Sequence, residues 1–254
     1  MFKKILAGLG IDGAKVNFQL DNNVVELGGI VSGKVYVSGG AIDQVISEIS
    51  IALEVSSRYK AGDDLRQVHQ EIAGAIVASQ LMIKANSPEI SIPLEFKLPY
   101  NIPISTPSTR YQFRTNLDIP GAIDATDIDE IVIKPNHSVQ CLLDALASLG
   151  FRSKAESGSF NGRFQQFEYV PMQFLRGKLD ELEVYFEARE DSIHIVLQID
   201  KKVRGFFASA IDDLDLDERH VNFYLTNDQL RASGQTAEIL AGIIQQEYDK
   251  IGRY

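Results

Sequence analysis

Residues 8–23 read GLGIDGAKVNFQLDNN, and two folds compete for them. Gly8, Gly10 and Gly13 satisfy the G-x-G-x-x-G spacing of a dinucleotide-binding turn, and Lys3-Lys4-Ile5-Leu6 stands where the first strand of such a fold would be. That turn holds a phosphate only where a helix opens directly after the glycines. Here Val16, Phe18 and Leu20 alternate with Lys15, Asn17 and Gln19 until Asp21-Asn22-Asn23, which is the period of a strand ending in a turn. Nucleotide binding is therefore not expected. Phe2, Ile5, Leu6 and Leu9 share one helical face, so the glycines are read as the cap of a short N-terminal helix and a turn.

The period of two persists downstream. Val24 to Val37 reads as strands broken at Gly28-Gly29 and at Gly33, and Ile49, Ile51, Leu53 and Val55 form one face of the next strand. Residues 60–64, KAGDD, suit a hairpin connection to a β-rich run from Val68 to Ile83. Pro88, Pro93, Pro99, Pro103 and Pro107 confine the following stretch to edge strands, extended pieces and turns, because proline cannot donate to a ladder. Tyr111 to Leu117 resumes the alternation, and Ile131-Val132-Ile133 closes a first unit near Lys134. Many short strands with turn signals between them indicate a sandwich and not an α/β sheet.

Val139, Leu142, Leu143, Leu146 and Leu149 then mark a helix over 135–150, with Asn136 or Ser138 as N-cap, which is read as a connector between two β-rich halves. In residues 151–254, Leu182, Val184, Phe186 and Ala188 alternate with Glu181, Glu183, Tyr185 and Glu187. Ile193, Ile195, Leu197 and Ile199 do the same after a polar turn, so Leu179 to Asp200 is a long hairpin. Val221, Phe223 and Leu225 add a strand, and Ala237, Leu240, Ile244, Tyr248 and Ile251 outline a terminal amphipathic helix.

Composition narrows the function. At a formal charge of −10 with no dense basic block, the chain is a poor partner for nucleic acid or anionic lipid. Its apolar stretches fall far short of the roughly 20 residues that cross a bilayer, and the apolar run after Lys3-Lys4 is too short for a signal peptide. A single cysteine, Cys141, fits a reducing cytoplasm. The four histidines, His69, His137, His194 and His220, suggest no zinc site. Asp212, Asp213, Asp215, Asp217 and Glu218 lack the glycine of a calcium loop, and Asp124, Asp127, Asp129 and Glu130 are a weaker metal candidate than a solvated acidic turn. No nucleophile elbow, zincin or P-loop motif occurs, so neither a catalytic residue nor a cofactor is expected.

Several segments, taken in order, resemble a known family. They are Phe2-Lys3-Lys4, Gly13-Ala14-Lys15-Val16, the G-x-V-x-V-x-G-G run from Gly33 to Gly40, Ile92-Pro93-Leu94 and Leu98-Pro99, and Leu117-Asp118-Ile119 before Ala122-Ile123-Asp124. The helix Val139 to Leu149 before Gly150-Phe151-Arg152, then Glu168-Tyr169-Val170-Pro171, Arg176 to Glu183, and Ile199 to Gly205 continue the series. The chain resembles the bacterial sporulation-control protein M family, relatives of arrestins, over nearly its whole length. Leu27-Gly28-Gly29 departs from the Pro-Gly-Glu expected there.

The resemblance implies a mainly β protein: an arrestin-like β-sandwich over 1–134, the connector helix, and a second β-rich domain over 151–254. It also implies a non-enzymatic cytoplasmic regulator or scaffold that binds other proteins; the alternative is a ligand-binding protein or enzyme with a site between the two domains. The sequence itself offers Lys201, Lys202 and Arg204 as a basic group for an acidic partner. Val184 and Tyr185 lie in the hairpin, whose edges are expected to pair two copies into a homodimer.

Overall fold

The computed structural model describes residues 13–62, 64–201 and 218–251. The expected N-terminal helix, Lys202, Arg204 and the acidic run from Asp212 to Asp217 lie outside the described residues. The chain packs as two units. Unit 1 comprises the described residues up to Ser56 with Val68–Leu98 and Arg110–Lys134, and unit 2 comprises Ser57–Gln67, Pro99–Thr109 and the described residues from Pro135 onward.

In unit 1 the alternation read from the sequence becomes two sheets. Strand β1 (Lys15–Leu20) begins two residues after Gly13, so the glycine motif opens onto a strand and not onto a phosphate-binding helix. It pairs antiparallel with β3 (Ile30–Ser38), which pairs with β6 (Ile90–Lys97), in the order β1-β3-β6. Pro93 sits in β6, at an edge of this sheet, where a missing N–H costs no ladder bond. The second sheet has the order β2-β8-β7-β4-β5, from β2 (Val24–Glu26), β4 (Gln44–Ala61), β5 (Asp64–Ile83), β7 (Thr109–Asp118) and β8 (Ala125–Lys134).

Phe113 of β7 meets Phe18 of β1 at 5.6 Å and Phe96 of β6 at 6.1 Å, both edge to face. These rings join the two sheets with Val35, Ile49, Leu53, Leu117 and Ile133 fully buried around them. Each such side chain contributes about 1.5–3 kcal/mol on leaving water. Gly33 does not break its strand as expected; β3 runs through it. A Cβ there would lie 2.4 Å from the Gln19 carbonyl oxygen, so only glycine lets β1 approach this closely. The break falls at Gly28-Gly29 alone, with Gly28 left-handed at φ 72°.

Unit 2 is one six-stranded sheet with two helices. Its order is β10-β11-β12-β13-β14, with β9 also paired to β11; the strands are β9 (Phe151–Ser153), β10 (Ser159–Phe160), β11 (Gln165–Pro171), β12 (Leu179–Ala188), β13 (Ser192–Lys201) and β14 (Glu218–Thr226). The helix read as a connector is α1 (His137–Ser148), which packs against α2 (Ser233–Tyr248) inside this unit and buries Val139, Cys141, Leu142, Ala145 and Leu146. Its N-cap is Asn136, whose side chain accepts from Val139 N–H at 3.0 Å; the alternative cap, Ser138, donates instead to Asn227. No described helix is long and apolar enough to cross a membrane.

The segments at 57–67 and 99–109 join unit 2 through a buried polar network. The Gly158 carbonyl accepts from Thr109 Oγ1 at 2.8 Å, Thr106 Oγ1 at 2.9 Å and Gln165 Nε2 at 2.9 Å. Gln165 also donates to the Ile104 carbonyl and accepts from its N–H, both at 2.8 Å, while Ser57 Oγ accepts from Phe160 N–H at 2.9 Å. Ser57, Thr109 and Gln165 are buried, and each finds a partner, as buried polar groups must.

Candidate interaction surface

The hairpin expected over Leu179 to Asp200 is present as β12 and β13, with Leu182 opposite Ile199 and Val184 opposite Leu197. It is not an edge. β11 pairs with β12 and β14 with β13, so both outer backbones of the hairpin are occupied and cannot pair a second copy. Val184 is likewise corrected as a surface residue: it is 0 % exposed, because the alternation that aligns the hairpin also turns Val184 into the core with Leu182, Ile195, Leu197 and Ile199. Lys201 ends β13, and it is the only member of the basic group within a described strand.

Tyr185 lies on the opposite, open face of the sheet. Its hydroxyl donates to Glu183 Oε2 at 2.7 Å, and its ring meets Phe164 edge to face at 6.4 Å. Burial and the Glu183 carboxylate raise the phenol above its ordinary pKa. Glu183 is itself raised, first by burial and then by the charges of Glu181 and Glu168. Lys154 holds those two neighbours, bonding Glu181 and lying 3.4 Å from Glu168. Burial disfavours the Lys154 ammonium, but these carboxylates outweigh it and raise its pKa.

Along the same face Glu187, His194 and Tyr224 stand in one cross-strand row. The His194 ring stacks on Tyr224 at 4.6 Å, and its Nε2 lies 2.7 Å from Asn222 Oδ1. The Arg189 guanidinium covers Tyr224 at 5.2 Å, and Arg163 covers Phe164 at 5.4 Å. Phe164 and Tyr224 are each 53 % exposed. Asn161 fixes the turn that presents Phe164, accepting from Arg163 N–H and Phe164 N–H at 2.9 Å. The face thus combines aromatic rings, arginines stacked on them and a carboxylate group, all held by neighbours.

Unit 1 contains a polar cluster that the alternation concealed. Glu54 alternates with the apolar Leu53 and Val55, yet it is 2 % exposed. It pairs with Arg114, accepts from Gln112 Nε2 at 3.0 Å and lies 3.4 Å from His69 Nε2. Nδ1 of the same His69 is 2.7 Å from Ser56 Oγ. The sequence Ser56, His69, Glu54 has the connectivity of a nucleophile, base and orienting acid. Ser56, however, lies inside β4, where successive amides point to opposite sides and cannot converge on an oxyanion. Arg114 and Gln112 also already engage the Glu54 carboxylate.

Of the acidic group considered for metal, Asp127 and Asp129 face inward together, while Asp124 accepts from Ile119 N–H in its turn. Asp127 accepts from Phe18 N–H at 2.7 Å, and Asp129 borders a cavity of about 500 Å³ lined also by Asn17, Asp21 and Asn23. No group of three metal-ligating side chains occurs among the described residues. His137 stands four residues before Cys141, the spacing of one helical face, with Nε2 3.6 Å from Sγ. Burial raises the Cys141 thiol, with Asp144 adding to the effect, which opposes a reactive thiolate.

The Spo0M family model, described as SpoOM protein, matches residues 2–203. The chain belongs to the Spo0M family. It is 31% identical over 255 residues to the sporulation-control protein spo0M of Bacillus subtilis (strain 168), covering 96% of this chain and 98% of that one. It also superposes on the crystal structure of Spo0M, sporulation control protein, from Bacillus subtilis with a TM-score of 0.79 and 28% identity, over 93% of this chain and 100% of that one. The departure at Leu27-Gly28-Gly29 is tolerated within this fold: a Cβ on Gly29 would approach the Glu26 carbonyl oxygen at 2.9 Å, so glycine relieves the turn.

Proposed function

We propose that this chain is a cytoplasmic regulatory protein that binds another protein through the open face of the six-stranded sheet and performs no catalysis of its own. Its Bacillus subtilis relative is named a sporulation-control protein, which supports a regulatory role, and the two-sheet sandwich of unit 1 suits the arrestin-like reading. The observation that carries the surface is the pair Phe164 and Tyr224, half in water yet fixed by Tyr185, His194 and two stacked arginines. Aromatic and arginine side chains are the residue types that anchor interfaces, and those already held in place lose little entropy on binding.

The test is capture of partners from the native cytoplasm with the tagged wild type and with Phe164→Ser/Tyr224→Ser. A partner held by the wild type and lost by a variant of unchanged melting temperature supports the reading. Equal recovery by both forms defeats it.

A further inference from the structure

We propose that Asn161 is a site of spontaneous modification: its side chain closes on Gly162 to a cyclic imide that opens to isoaspartate, and this change releases the turn presenting Phe164. Asn161-Gly162 is the one Asn-Gly pair in the chain, and asparagine is among the heat-labile residue types. The nucleophile in such a closure is the amide nitrogen of the following residue, and only glycine brings that nitrogen without a Cβ beside it. The turn itself demands this glycine. Gly162 has φ 96°, a conformation that L side chains rarely adopt, so a bulkier neighbour that would protect Asn161 is excluded by the backbone.

The hydrogen bonds of the turn add a second factor. The Asn161 N–H donates to the Phe164 carbonyl at 3.2 Å, and Asn161 Oδ1 accepts from Arg163 N–H and Phe164 N–H, both at 2.9 Å. When the Gly162 nitrogen adds to Cγ, negative charge develops on Oδ1, where two N–H donors already stand at the distance that stabilises an oxyanion. Asn161 is exposed, so solvent base reaches it. Asn22 and Asn136 supply the contrast. Asn22 Oδ1 accepts from Val24 N–H at 2.9 Å and Asn136 Oδ1 from Val139 N–H at 3.0 Å, but Asn23 and His137 follow them and bring a side chain beside the attacking nitrogen.

The chemistry is a hydrolysis. The Gly162 nitrogen forms a bond to Cγ, the bond from Cγ to Nδ2 breaks, and the Gly162 amide proton leaves with Nδ2 as ammonia. Water then opens the ring, at Cγ to give aspartate or at the main-chain carbonyl to give isoaspartate. One water is taken up, one ammonia is released, and no electrons are exchanged. Aspartate keeps an acceptor for both N–H groups and retains the turn. Isoaspartate routes the chain through Cβ and Cγ and so lengthens the backbone by a methylene. The Phe164 ring then loses its setting against Tyr185 and beneath Arg163. The effect on a partner rests on the aromatic-face reading above; the chemistry at residue 161 does not.

The full chain is aged in mildly alkaline buffer and mapped by peptide mass spectrometry. The peptide holding residue 161 should gain one dalton, and isoaspartyl methyltransferase with a labelled methyl donor should mark it. Asn161 should convert about tenfold faster than Asn22 or Asn136. Asn161→Ser, which keeps an oxygen acceptor but has no amide, should resist ageing. Near-ultraviolet circular dichroism of the tyrosines should change in the isoaspartate fraction and not in Asn161→Asp, which separates the backbone change from the added charge. In the partner capture described above, the isoaspartate fraction should lose the partner, while Asn161→Asp and aged Asn161→Ser retain it. Conversion of Asn161 no faster than of Asn22 and Asn136 overturns the proposed chemistry, and an unchanged spectrum overturns the release of the turn. Undiminished capture by the isoaspartate fraction, where Phe164→Ser/Tyr224→Ser loses the partner, also overturns that release. Capture retained by the double variant defeats the aromatic-face reading instead, and the mass gain, methylation and spectral change then support the modification on their own.

Discussion

The Thr109 hydroxyl donates to the Gly158 carbonyl at 2.8 Å, across 49 positions of sequence, at the centre of a network whose members are otherwise satisfied. Thr109→Val keeps the shape but removes the donor to Gly158 and the contact of Thr109 Oγ1 with Ser57 Oγ at 2.9 Å. Loss of a buried partner costs about 1–3 kcal/mol. Denaturant unfolding should show that loss, and Thr109→Ser should recover most of it. Gly158→Ala should cost at least as much, since φ is +85° and the new Cβ would lie 2.5 Å from Thr106 Cγ2.

Asp129 makes stability depend on pH. Burial, then repulsion from Asp127, raises its carboxyl to about 6, and Asp129 Oδ2 is buried without a partner. An acid whose folded pKa exceeds its unfolded value binds its proton more tightly in the fold. The fold is therefore most favoured below the unfolded pKa near 4, and this contribution is lost as pH rises through about 6. Melting temperature should fall between pH 5 and pH 7. Asp129→Asn should flatten that slope and stabilise the protein at pH 7, by about 1 kcal/mol after allowance for solvent screening. A slope unchanged in the variant would assign the dependence to other groups.

Glu54 and Arg114 should couple modestly. The Arg114 side chain is 49% exposed, so water recovers part of what the ion pair supplies. A double-mutant cycle with Glu54→Gln and Arg114→Met should give a coupling of about 1 kcal/mol or less.

The serine beside this cluster should be inert. A fluorophosphonate probe should leave Ser56 unlabelled, because the hydroxyl has a base at 2.7 Å but stands mid-strand, where the adjacent amides point to opposite sides. Stoichiometric labelling of Ser56, abolished by His69→Ala, would contradict the non-catalytic reading.

Leu142→Ala should destabilise the protein more than loss of the α1 cap. Leu142 is fully buried, and a leucine truncated at such a site costs about 2–5 kcal/mol. Asn136→Ala removes only the cap and should cost about 1 kcal/mol.

Much of the fold was legible because it is local. The alternation of Leu182 to Ala188 with Ile193 to Ile199 fixes both the hairpin and its register, and the leucine spacing after Asn136 fixes α1. Pro93 correctly marked an edge. What could not be read depends on neighbours in space. Val184 looked like part of a free hairpin because nothing in its own strand shows that β11 and β14 flank it. Glu54 followed the polar phase of its strand, and only the side chains of Arg114, Gln112 and His69 bury it. Tyr185 was singled out for its position in the hairpin, whereas Phe164, His194 and Tyr224 become its companions only once the sheet is assembled.

The bonds around Gly158 also govern the order in which the protein can mature on the ribosome. Ser57, Ile104, Thr106 and Thr109 emerge early, but the groups they require, Gly158, Phe160 and Gln165, are synthesised about fifty to a hundred residues later. The early segments can bond to each other, as Ser57 does to Thr109, but stay open to water until the second half of the chain arrives. A nascent chain stopped after Lys134 therefore holds a sandwich with two unfinished arms, and translation must pass Gln165 before either arm can be buried.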